Sequence, residues 1–123
     1  MEKERWIVDG MNVIGSRPDG WWRDRPGAMR ALTEQLAAWA DDREVTVIFD
    51  GAPFDLSARA VDVRFASRRG PNAADDDIAR MVEEDEHPEE LRVVTSDHQL
   101  SRRVRERGAG VLGAGEFRRM YEA

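Results

Sequence analysis

The residues in this sequence best suited to chemistry are aspartates that end apolar runs. Asp9 follows Trp6, Ile7 and Val8, Asp50 follows Val47, Ile48 and Phe49, and Asp97 stands two residues beyond Val93, Val94 and Thr95. A fourth group, Asp75, Asp76 and Asp77, is consecutive. Carboxylates gathered in one crevice repel one another and hold their protons more tightly unless a cation sits among them. The chain has no cysteine, so a metal must be held by oxygen ligands or by the two histidines, which points to a hard cation such as Mg²⁺ or Mn²⁺. Mg²⁺ takes carboxylate and water oxygens and keeps positions for a phosphate. Two such ions would activate a water and stabilise the leaving oxygen of an in-line displacement, which makes phosphodiester hydrolysis the natural reaction class.

For these carboxylates to meet, the elements between them must bring distant segments to one edge. Residues 5–9 and 44–50 are short apolar runs ended by Asp-Gly, the pattern of buried strands followed by turns. Residues 60–65 alternate Val61, Val63 and Phe65 with Asp62 and Arg64, as on an edge strand with one wet face. Its direction stays open, because nine intervening residues are short for a parallel crossover. Residues 91–95 make a further buried strand and Val111-Leu112 a short last one.

Residues 10–26 carry Gly, Pro, Asp and a Trp pair without periodicity and are expected to form a long loop. Met29, Leu32, Leu36 and Trp39 then recur at helical spacing, for about four turns. Further helices are expected with Ile78, Met81 and Val82 on one face, with Leu100 and Val104 after Ser96-Asp97, and with Phe117, Met120 and Tyr121 inward at the end. Strands alternating with helices imply an α/β domain with a mostly parallel sheet. The loops after parallel strands share the carboxyl edge, where ligands bind near the point of strand-order reversal, and there the four acidic segments would converge.

A length of 123 residues predicts one domain over 1–123 with one core. A mean hydropathy of -0.66 with 41% hydrophobic residues describes a globular chain with a well-solvated surface. No apolar run approaches a membrane span and no signal peptide opens the chain, so the expected compartment is the cytoplasm. A net charge of -6 excludes a generally basic nucleic-acid coat but not a local one. Arginines collect at Arg17, Arg23, Arg25 and Arg30 and again at Arg64, Arg68 and Arg69. Trp21 and Trp22 beside Arg23 and Arg25 suit stacking on bases and holding phosphates of a single strand, and Arg68 and Arg69 suit steering of a substrate backbone. The competing account is a loop pinned by its tryptophans and arginines that solvate the surface. His87 lies in an acidic run and His98 follows Asp97; neither is required where bound water supplies the nucleophile.

Four motifs carry a resemblance: residues 9–15 (Asp-Gly-Met-Asn-Val-Ile-Gly), residues 45–51 (Val-Thr-Val-Ile-Phe-Asp-Gly), residues 74–78 (Ala-Asp-Asp-Asp-Ile) and residues 94–97 (Val-Thr-Ser-Asp). In that order they resemble the signatures of YacP-like NYN domains, members of the PIN-like ribonuclease superfamily. The resemblance covers nearly the whole chain. It implies a Rossmann-like, three-layer PIN/NYN fold with strand order 3-2-1-4-5, and Mg²⁺- or Mn²⁺-dependent endonucleolytic cleavage of RNA. It further suggests messenger RNA at the ribosome as the setting. Asp9 would be the central metal ligand, and Asn12 would orient it or contact the phosphate. Asp50 would support from its strand end, Asp75 would be the helix-start ligand with Asp76 in reserve, and Asp97 would complete the metal shell. Many relatives carry a long basic insertion after the second strand, where this chain has only residues 52–59, so its grip on RNA would rest on other arginines.

Each acid also has a plain structural reading. Asp-Gly is ordinary turn chemistry, and Asp75, Asp76, Asp77 or Asp97 at a helix start would serve as cap or dipole partner. Two other functions fit the same pattern. One is a non-catalytic RNA-binding module; the other is a receiver or phosphatase type of aspartate site, which the absence of any lysine but Lys3 opposes.

Overall fold

A computed structural model describes residues 4–122; Lys3 lies outside them. Five parallel strands, β1 (Arg5–Asp9), β2 (Glu44–Phe49), β3 (Val61–Phe65), β4 (Leu91–Val94) and β5 (Gly110–Leu112), form one sheet in the order β3-β2-β1-β4-β5. The chain builds outward from β1 through β2 to β3, then returns to lay β4 against the other side of β1. The order therefore reverses between β1 and β4.

Alternation along the strands sorts the core into two halves. Trp6, Val8, Val45, Val47, Phe49 and Val94 meet α1 (Gly10–Gly15), α2 (Arg25–Ala40) and α5 (Ala114–Glu122), through Val13, Leu32, Leu36 and Phe117 among others. Ile7, Ile48, Leu91 and Val93 meet α3 (Ala73–Glu84) and α4 (His98–Glu106) through Ile78, Val82, Leu100 and Val104. Side chains of a strand alternate between faces, so Asp9 shares the side of Ile7 and leans toward α3 and α4. No helix among the described residues is long and apolar enough to cross a membrane.

One open question closes and three expectations change. The edge strand β3 is parallel to β2, because residues 50–60 cross back without a helix. Eleven extended residues reach up to about 36 Å, well beyond the length of a six-residue strand. Phe54 and Leu56 anchor that crossover against the core. Residues 10–26 are not one loop: they hold α1 and a 3₁₀ turn, Trp21–Arg23. The burial of Val13 and Ile14 holds α1, too short to show a period. Met120 is 44% exposed rather than inward, since Phe117 and Tyr121 already take the inner face of α5. Trp39 is half-buried, set edge to face against Trp6 and Phe117 at 5.2 and 5.1 Å.

Gly10 has a steric reason to follow Asp9. A Cβ there would come within 2.5 Å of the Phe49 ring and 3.1 Å of the Ile48 carbonyl oxygen, so α1 turns off β1 only where β2 leaves room. Gly10→Ala is expected to destabilise the fold by about 1–3 kcal/mol, the usual cost of overpacking a close contact, as measured by urea unfolding.

Candidate metal centre

Asp9 ends the central strand and is only 4% exposed. Its Oδ2 accepts a hydrogen bond from the Thr95 hydroxyl at 3.1 Å. The Asn12 backbone amide also favours the charged carboxylate, without closing a full helix cap. These contacts do not outweigh burial, which together with the nearby charges of Asp75 and Asp50 raises the Asp9 pKa from 3.8 to about 7. Asp75 is raised as well, by burial first and then by the charges of Asp97, Asp50 and Asp76, with a hydrogen bond to Asp9 in opposition. Asp9 and Asp75 thus form a pair of neighbouring carboxyls that both hold their protons above the ordinary range.

Asp50 and Asp97 bring the neighbouring helices to this pair. Asp50 Oδ1 accepts the Ala74 backbone N–H at 3.1 Å, which pins the first turn of α3 to the end of β2. Asp97 caps α4, its Oδ1 accepting the Leu100 N–H at 2.8 Å, and its own N–H donates to the Thr95 hydroxyl oxygen at 3.1 Å. Each acid therefore has a structural task and a place in the electrostatics of the pair.

Asn12 does not take Asp9 with its side chain. Its Oδ1 accepts the Ser96 N–H at 2.7 Å, while the Ser96 hydroxyl accepts the Ala114 N–H at 2.9 Å, so the loop after β4 is tied to both α1 and α5. Thr95, to which sequence reasoning assigns no role, and Ser96, expected only at a helix start, organise this loop. The available signal was a polar Thr directly after the apolar pair Val93-Val94.

Asp76 turns away from the pair. It is ion-paired to Arg68 and, at 3.0 Å, to Arg103, and those guanidiniums, Arg103 foremost, hold its pKa below the ordinary value. Arg103 was not foreseen either. Asp77 accepts the Ser67 N–H at 2.6 Å and its hydroxyl at 2.7 Å, anchoring the loop before α3. Arg69 is exposed in that loop, and His87 and His98 are exposed elsewhere. Trp21, Trp22, Arg23 and Arg25 form a separate surface ahead of α2.

Residues 6–123 match the YacP-like NYN domain family. The chain belongs to that family, and with it to the PIN-like nucleases. Its fold is similar to the crystal structure of a mutant form of Rae1 (YacP) from Bacillus subtilis, with a TM-score of 0.80 and 24% identity over 97% of this chain and 75% of that one. A second crystal structure of Rae1 from the same organism gives a TM-score of 0.76 and 23% identity over 99% and 74%. At that identity the likeness is one of fold. No curated protein matches the chain.

PIN/NYN nucleases generally use divalent metal ions. Among the described residues of this NYN domain, no three His, Asp or Glu side chains already close into a cage. The donors nevertheless fit such an ion, because Mg²⁺ is usually held by one or two carboxylates, with waters and substrate phosphates completing its shell. A buried Asp9 that keeps its proton to about pH 7, beside Asp75 raised by burial as well, meets that description.

The same pair sets a pH dependence. Unfolded, Asp9 ionises near 3.8; folded and metal-free, it keeps its proton up to about pH 7. Between those values unfolding releases a proton, so the Asp9 contribution to stability falls as pH rises. In metal-free protein Asp9→Asn is expected to be more stable than wild type at pH 8, by about 1–3 kcal/mol. Urea titrations across pH should show that difference shrinking toward pH 5.

Proposed function

We propose that this chain is a metal-dependent endoribonuclease: one domain that hydrolyses RNA phosphodiester bonds with Mg²⁺ or Mn²⁺. The observation that carries the reading is the buried Asp9 carboxyl facing Asp75 at the reversal of strand order, with both pKa values raised. Asp9 and Asp75 would hold the metal, and Asp97 would complete its shell. Asp76 is set aside as a ligand because its carboxylate is already matched by two arginines. When bound, the metal supplies Lewis acidity and an activated water.

The residues of the chain do the rest. Thr95 fixes the Asp9 carboxylate, and Asn12 fixes the Ser96 loop beside it. Asp50 and Asp97 aim the first turns of α3 and α4 at the crevice, where their amide dipoles favour an anionic phosphodiester. Arg69, exposed on the loop before α3, would take backbone phosphates on its flank, and Arg68, paired with Asp76, would join it. The family resemblance extends the reading to messenger RNA at the ribosome and to a cytoplasmic setting.

Purified protein and a labelled single-stranded RNA test the proposal. Cleavage should need Mg²⁺ or Mn²⁺, stop with chelator, and fall at least about a hundredfold in Asp9→Asn and Asp75→Asn. Asp76→Asn should stay within a few-fold of wild type. Wild-type cleavage by Asp9→Asn, or stable labelling by acetyl phosphate without cleavage, would overturn the reading. Independently of turnover, Mn²⁺ should raise the unfolding temperature of wild type and leave that of Asp9→Asn unmoved.

A further inference from the structure

The segment ahead of α2 is a built element with an odd surface. Gly20 takes a left-handed conformation at φ 81° to open the turn, the Trp21 N–H donates to Asp19 Oδ1 at 3.2 Å, and Asp24 caps α2 through the Gly27 N–H at 3.0 Å. Trp21 packs against the core, which leaves Trp22 outward and 55% exposed. The two indoles stand edge to face at 6.0 Å, the Arg23 guanidinium lies 5.8 Å from the Trp22 ring, and that of Arg25 lies 5.5 Å from the Trp21 ring. Neither arginine forms an ion pair among the described residues. The turn therefore presents to solvent one exposed indole and two guanidiniums without an anionic partner among the described residues.

Its place in the fold is informative. The helix α2 leads to β2 at the amino edge of the sheet, so it runs against the strands and begins at the carboxyl edge. Arg30, in its second turn, lies 5.3 Å from the ring of Phe54, a residue of the crossover that leaves the carboxyl end of β2. The tryptophan turn therefore stands on the same edge as Asp9.

We propose that Trp22, supported by Trp21 and flanked by Arg23 and Arg25, is a stacking platform for an unpaired base of single-stranded RNA that crosses this edge. A base stacks on the exposed indole, and the guanidiniums take the adjoining phosphates, a combination that grips single strands without reading sequence. The proposal rests on the nuclease reading for its choice of substrate, but not on turnover. A duplex keeps its bases inside and has nothing to lay on Trp22.

Fluorescence anisotropy with a labelled single-stranded RNA of about 12 nucleotides, in chelator and on the Asp9→Asn background so that nothing is cut, reads the platform alone. Adding Trp22→Ala should weaken single-strand binding about tenfold, Trp22→Phe should restore most of it, and a duplex of the same sequence should be indifferent to both. Arg23→Ala with Arg25→Ala should flatten the salt dependence by a log–log slope of about 1.4. Unchanged binding in Trp22→Ala, with its unfolding midpoint unaltered, would overturn the proposal, as would equal losses on duplex and single strand. Cleavage without Trp22-dependent binding would remove the platform and leave the nuclease; Trp22-dependent binding without cleavage by the unaltered chain would do the reverse.

Discussion

The structure turns on one unfavourable placement, a carboxylate at the end of the central strand with almost no access to water. A buried charge must be matched or given up, and Asp9 at rest gives it up. Everything within reach is arranged around that fact. Gly10 lets α1 leave at once without a clash, Thr95 supplies the hydroxyl, and Asp75 comes up on the side toward which strand alternation turns Asp9. A salt-bridging arginine would settle the charge and improve stability, but it would also close the position a cation needs. The neighbouring arginines are instead engaged with Asp76, one helical step away.

Among the helices that begin at this edge, α1, α3 and α4 start beside the acids, and the start of a helix carries the positive end of its dipole. Gly10 opens α1 directly after Asp9, Asp50 holds the first turn of α3, and Asp97 caps α4. The partial charges relieve some of the repulsion among the acids. Asp50 and Asp97 hold the scaffold together and their charges also raise the pKa of the carboxyls beside them. A structural task and an electrostatic one are therefore not alternatives at either position.

The parts of the fold that were legible in the sequence are those with a strong period or a sharp stop. The strand ends at Asp9 and Asp50 follow from apolar runs cut off by Asp-Gly, and α2 follows from Met29, Leu32 and Leu36. The six residues of α1 carry no legible period, because less than two turns cannot establish one and Val13 and Ile14 are buried by tertiary packing. The parallel direction of β3 was hidden for a different reason: crossovers of parallel strands usually contain a helix, and this one is irregular chain. Hydrogen bonds between distant segments, such as Asn12 to Ser96 and Asp76 to Arg103, leave no local trace at all.

The three consecutive aspartates of α3 show how far pattern reasoning reaches once a helix is granted. Successive residues of a helix point about 100° apart, so at most one of three neighbours can face a given crevice. Asp75 precedes Ile78, Ala79 and Val82 at spacings of three, four and seven, and those residues are buried against the sheet, so Asp75 shares the inward stripe. Asp76 is rotated onward to Arg68 and Arg103, and Asp77 further to Ser67 and Arg80. Identical side chains thereby acquire a raised pKa, a lowered one and a loop anchor through rotation alone. The inward place of Asp75, the position that the family motif would select, follows from the pitch of the helix.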